Sequence, residues 1–183
     1  VDINSDKWKE VTELIDENFY FIENERYDLD AVLEKGAELV KRKGIKCLVI
    51  DPYNKVKMNG ANTMSIPDAT MEYLTRIETF AKKYDVLVIV VAHPTKMYKK
   101  EDGTLDEPNM YNIKGGGEWY DASYHGLLVH RDYNKGTVKV KVLKVKFQNL
   151  GENQAEAFFK WDKMSSNYFP LQDITQEVMP WEE

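Results

Sequence analysis

No stretch of this sequence is long and apolar enough to cross a bilayer, which takes about 20 consecutive apolar residues. Val1–Glu10 is too polar for a secretory leader. One cysteine, Cys47, stands among 183 residues. No internal disulfide can form, which fits a reducing, cytoplasmic setting without a membrane. Basic residues are outnumbered, 25 against 31 acids, for a net charge of −6. That argues against a general basic coat for nucleic acid but leaves room for a local path of lysines, because particular side chains make phosphate contacts. The three histidines form no metal motif, and no Cys or His partner is spaced for zinc. His125 and His130 lie five apart on one expected strand and so face opposite sides. Also missing is GxxxxGK[ST], the loop that cradles phosphates and supplies a lysine to them. Gly115–Gly117 cannot replace it, having no lysine and not directly following a strand. There is no starting Met, and the first residues already enter a helix, so the chain reads as cut from something longer. Its length suits one domain or most of one.

What is present is organised around Lys46–Asp51, KCLVID, and Val86–His93, VLVIVVAH. Short runs of Val, Ile and Leu read as strands of a parallel sheet covered on both faces, with Cys47 buried inside one of them. Such sheets place ligands at the carboxyl ends of their strands, where Asp51 and His93 stand. Ser5 or Asp6 caps a first helix with Trp8, Val11, Leu14 and Ile15 as its apolar face. Phe19–Ile22 follows as a short strand, then a helix over Asp28–Lys43 ended by Gly44. Pro67–Tyr84 is a crossover helix with a stripe of Met71, Leu74, Ile77, Phe80 and Ala81. Met97–Lys114 is a long polar loop closed by Gly115–Gly117, with a short helix through Ser123. His125–His130 is a strand, Asp132–Gly136 a hairpin turn, Thr137–Phe147 a long strand and Ala155–Asp162 its return. The Val/Lys alternation slips phase at Val142-Leu143, which predicts a bulge or a strand becoming buried on both faces. The expected architecture is α/β, with domain boundaries at 1–170 and an acidic tail at 171–183.

An Asp at a strand end can hold Mg²⁺ through water beside the β- and γ-phosphates of ATP or another NTP. An imidazole on the neighbouring strand, His93, can donate a hydrogen bond to the γ-phosphate and register its loss. Each residue alone can simply cap a strand; as a pair separated by one helix they favour the chemical role. Lys139 and Lys141 alternate with valines and read as a solvated face. Lys144 and Lys146, after the slip, read either as more of that face or as cations reaching a phosphate across a subunit boundary. Lys55 and Lys57 follow Asp51 with no acid before Asp68, and Lys96, Lys99, Lys100 and Lys114 punctuate the long loop. Both loops read equally as solvated segments or as contacts for single-stranded nucleic acid.

Five segments then become recognisable in order: LVIDPYNKV, FAKKYDVLVIVVAHPTK, KGGGEWYDASYHGLLVHRD, VKVLKVKFQNLG and FFKWDKMSSNYF. From about Phe19 to Phe169 the chain resembles the C-terminal half of the RecA-like domain of ring-shaped replicative helicases, of the DnaB, phage primase–helicase and Twinkle type. The resemblance implies a RecA-like sheet, mostly parallel with antiparallel C-terminal strands, flanked by helices and lacking its phosphate-loop strand. It implies that Asp51 is the Walker B aspartate and His93 the γ-phosphate sensor. Lys55–Ser65 and Lys96–Lys114, with Gly115 and Gly116 closing the second, correspond to the two loops that hold single-stranded DNA in the ring's channel. Lys144 and Lys146 match a Lys-x-Arg pair whose arginine reaches the neighbouring subunit's nucleotide. Lysine at 146 keeps the charge and loses the planar fork, and Tyr124 stands where the family usually has an acid. The phosphate loop and catalytic glutamate are expected before Val1. The implied parent is a hexameric, NTP-dependent 5′–3′ DNA helicase, phage-encoded, with this chain alone inactive. The other readings are a non-catalytic RecA-like DNA-binding scaffold and a recombinase. The acidic tail, with Trp181, is either a docking segment for a replication partner or a solvated end.

Overall fold

The computed structural model describes residues 5–23, 27–57, 63–95, 107–133 and 135–171. The chain divides into two compact units, Val1–His93 and Pro94–Glu183.

In the first unit α1 spans Ser5–Asn18 and α2 spans Leu29–Lys43. Asp28 caps α2 by accepting from the Ala31 N–H at 2.9 Å, which satisfies one of the orphan donors of the first turn. β1 is Cys47–Ile50, α3 is Ile66–Tyr84 and β2 is Leu87–Val90. Ser65 caps α3, and Pro67 lies in its first turn, where a missing N–H costs nothing. β1 and β2 pair in parallel, with α3 as the crossover between them. Leu48, Phe80 and Val86 form the centre of the core, and Leu33, Ala37, Val40, Tyr84 and Val88 pack around it. Leu48 and Val88 are register partners, so α2 and α3 both lie against one face of the pair.

Four expectations are corrected. The parallel pair is covered on one face rather than two: Val49, Leu87 and Ile89 on the other face are 55%, 59% and 43% exposed. Cys47, opposite Leu87 in the register, is exposed rather than buried. Phe19–Ile22 forms no strand, since no described neighbour offers it a ladder, and Phe19 and Phe21 are exposed. The intended apolar stripe of α1, Trp8, Val11, Leu14 and Ile15, is likewise exposed.

In the second unit a 3₁₀ turn, Met110–Asn112, precedes α4, Gly117–Ala122. The end of the expected structureless loop is therefore ordered, with Asn109 and Asn112 side chains reciprocally capping the turn. β3 (His125–Asp132), β4 (Thr137–Val145), β5 (Glu156–Asp162) and β6 (Asn167–Pro170) form an antiparallel sheet in that order. Among the described strands, one ladder is parallel and three are antiparallel, in two separate sheets. The expected antiparallel C-terminal strands are present, and the parallel part consists of two strands among the described residues. Successive strands from β3 onward are joined by short turns, which permit only antiparallel neighbours. The mixed α/β class stands.

The bulge falls where the alternation slips. Gly126 pairs with Lys144 and Leu127 with Val142, leaving Leu143 as the extra residue. That insertion returns Lys144 to the face that carries Lys139 and Lys141, because register partners share a face. The segment 107–122 lies against this face. Met110, buried, packs over Gly126, where any Cβ would collide with its Sδ.

Candidate functional site

β1 and β2 run in register, with Ile50 opposite Val90, so both strands release the chain at the same rim. The Val91 N–H donates to the Ile50 carbonyl at 2.8 Å, and the Tyr53 N–H donates to the Val91 carbonyl at 2.9 Å. These bonds extend the ladder past the strand ends and hold the segment after Asp51 beside the segment leading to His93. Both Asp51 and His93 are exposed at that rim. Tyr53 meets the ring of Tyr73 edge-on, with centroids 6.1 Å apart. The Tyr73 hydroxyl is buried without a hydrogen-bond partner among the described residues, and burial raises the phenol's pKa. This packing anchors the chain immediately after Asp51.

Among the described residues no group of three His, Cys, Asp or Glu side chains could hold a metal ion. A cation at Asp51 would therefore rest on one exposed carboxylate, water and substrate phosphate oxygens. That donor set suits Mg²⁺, which keeps several waters and seldom sits in an all-protein cage.

Lys55 closes a 3₁₀ turn, Tyr53–Lys55, and both Lys55 and Lys57 are exposed. Lys57 is tied through its backbone to the start of α2: the Leu29 N–H donates to its carbonyl at 2.8 Å, and its own N–H donates to the Tyr27 carbonyl at 2.9 Å. Lys96, Lys99 and Lys100 lie outside the described residues, as does the tail after Leu171. Lys114 is exposed, and its carbonyl accepts from the indole N–H of the buried Trp119 at 3.0 Å. Gly115 and Gly116 have φ of 107° and 63°, the region glycine enters freely, and this reverses the chain into α4.

The lysines of β4 do not form a solvated face. Lys139 and Lys141 bond to Glu107 and Glu156 in a network of two cations and two carboxylates, with lysine side chains only 19% and 20% exposed. The hydrogen bond from Lys139 and the two cations hold Glu107 below the usual carboxylate range; Lys141, then Lys139, do the same for Glu156. Lys139 is raised in turn, first by Glu107, and Lys141 first by Glu156. Lys144 turns inward: its ammonium donates to the carbonyls of Tyr120 and Asp121 at the end of α4 and sits 4.7 Å from the Tyr120 ring centroid. Burial, then the Lys146 cation, lowers its pKa, against an opposing pull from Asp121. Lys146 is exposed, its ammonium 4.1 Å from the Tyr124 ring centroid and its N–H bonded to the Tyr124 carbonyl. Tyr124 is thus the partner of Lys146 through both its ring and its carbonyl.

Sequence reasoning passed over Glu107, Tyr111 and Tyr120, which assemble beside β4. The rings of Tyr111 and Tyr120 stack at 5.2 Å and 19°. The only signal was the density of tyrosines around the glycine triplet.

No family model matches the chain. Over 162 residues it is 31% identical to the Twinkle homolog protein, chloroplastic/mitochondrial, of Arabidopsis thaliana. The match takes in 84% of this chain and 22% of that protein, so the chain spans about a fifth of the relative's length. The chain is therefore a distant relative of that Twinkle homolog.

Proposed function

We propose that this chain is the C-terminal part of the motor domain of a replicative DNA helicase of the primase–helicase type. In this reading the parent couples hydrolysis of ATP or another NTP, with Mg²⁺, to 5′–3′ movement on single-stranded DNA in a hexameric ring. The observation that carries it is the shared rim of the parallel pair, with Asp51 and His93 exposed on the segments that leave its two strands. The distant likeness to a Twinkle homolog supports the same reading.

Bound NTP and Mg²⁺ supply the phosphoanhydride and its counter-charge. Asp51 would hold the cation, directly or through its water, and so supply negative charge beside the phosphates. His93 donates an imidazole N–H to a terminal phosphate oxygen and loses that acceptor when the phosphate leaves. Lys146 is the cation for a neighbouring subunit's nucleotide, held near Tyr124 until it is needed. Lys144, bonded to the C-terminal end of α4, fastens that helix to β4 rather than touching phosphate. Lys55, Lys57, Lys96, Lys99, Lys100 and Lys114 are the cations toward the DNA backbone.

A non-catalytic scaffold is the second reading, favoured by one feature: lysine rather than arginine at 146. The two are separated by measuring NTP turnover of the full-length protein with and without single-stranded DNA. The helicase reading expects DNA-stimulated turnover in the wild type and, in His93→Ala, retained nucleotide binding with stimulation lost. No turnover, or stimulation untouched by His93→Ala, counts against it.

A further inference from the structure

Beside the stacked pair Tyr111 and Tyr120 lies a cavity of about 420 Å³, also walled by Asn109, Lys141, Leu143 and Gln154. Three features define what it can take. First, Tyr111 is 58% exposed yet held in place. Its N–H donates to the Asn109 side chain at 2.9 Å, and the preceding Met110 is buried against Gly126. The ring itself stacks on Tyr120, which also receives the Lys144 ammonium. Second, the cation on the wall, Lys141, is already neutralised by Glu107, also on the wall, and by Glu156. A phosphate would meet carboxylates as well as ammonium groups there. Third, the wall combines an exposed aromatic face with the amide of Gln154, which can both donate and accept. An uncharged planar ring with polar edges fits all three; a phosphate or a fatty chain does not.

We propose that Tyr111 is a stacking platform for a nucleobase of single-stranded DNA, seated in this cavity. The proposal rests on the helicase reading and adds to it a base contact that the expected lysines, which meet phosphates, do not supply. Stacking on a tyrosine tolerates any base, as a motor that moves along all sequences requires.

The test measures binding of labelled oligothymidylate, and of the same oligonucleotide with abasic sites, to the full-length protein. Tyr111→Ala is expected to weaken oligothymidylate binding roughly 5- to 150-fold, the range of one lost stack. The salt dependence stays unchanged, because no phosphate contact is removed. Tyr111→Trp retains binding, and Tyr111→Leu, which preserves bulk and packing, loses it as Ala does. Abasic DNA binds the wild type more weakly and shows no further loss with Tyr111→Ala. Wild-type affinity in both Tyr111→Ala and Tyr111→Leu, or equal affinity for abasic DNA, overturns the platform and leaves the helicase reading intact. A wild-type protein that binds neither oligonucleotide overturns both.

Discussion

Gly126→Ala tests how the segment bearing Tyr111 is held. A Cβ at this buried position would overlap Met110 Sδ and lie 3.2 and 3.4 Å from Cε and Cγ. The obstacle is the flexible end of a methionine, so the site can yield by displacing that side chain, at the usual cost of overpacking, about 1–3 kcal/mol. Met110→Ala removes a buried side chain and costs about 2–5 kcal/mol alone. In the double variant the clash is gone, so Gly126→Ala should then be nearly neutral. The two changes should couple by roughly 1–3 kcal/mol, with the double variant more stable than the sum predicts. Urea denaturation of the four proteins, followed by tryptophan fluorescence, gives the cycle. Equal stability of Gly126→Ala and wild type, or simple additivity, would refute the packing of Met110 on β3.

Further expectations follow from the ion network and the helix caps. Glu107 and Glu156 lie below the ordinary carboxylate value of 4.5 in the folded chain, so their contribution is present above that value and lost as pH falls through the depressed one. Lys139 and Lys141 are raised, so theirs is complete below 10.5 and lost as pH rises through the raised value. Lys144 runs the other way, its penalty easing as pH climbs toward 10.5. Urea midpoints between pH 3 and 7 should therefore fall less steeply in Glu107→Gln than in wild type; identical slopes would contradict the network. Asp28→Ala should cost about 0.5–2 kcal/mol through the lost N-cap, with Asp28→Asn retaining most of it. A change within error on thermal denaturation would show that the cap contributes nothing.

What could be read from the sequence was local. Gly44 after α2, Pro67 in the first turn of α3 and the slip at Val142-Leu143 each follow from backbone geometry within a few residues. The parallel pairing of the strands that lead to Asp51 and His93 was also legible, because an apolar strand, a crossover helix and a second apolar strand favour one parallel arrangement. What escaped depended on distant partners. Lys139 and Lys141 look solvated until Glu107, some thirty residues earlier, is laid across them. Lys144 looks outward until the bulge returns it to the face under α4. The open face of β1 and β2 escaped because apolar runs predict burial, and alternation of exposure along Cys47–Ile50 arises only from having both helices on one side.

The most direct measurement is Mg²⁺-dependent NTP hydrolysis by the full-length protein carrying Asp51→Asn, with single-stranded DNA present. The substitution keeps the size of the side chain while removing the charge proposed to face the cation. The account predicts loss of turnover with the fold and oligonucleotide binding retained. Wild-type turnover in Asp51→Asn would contradict the assignment of the β1 rim as the nucleotide site.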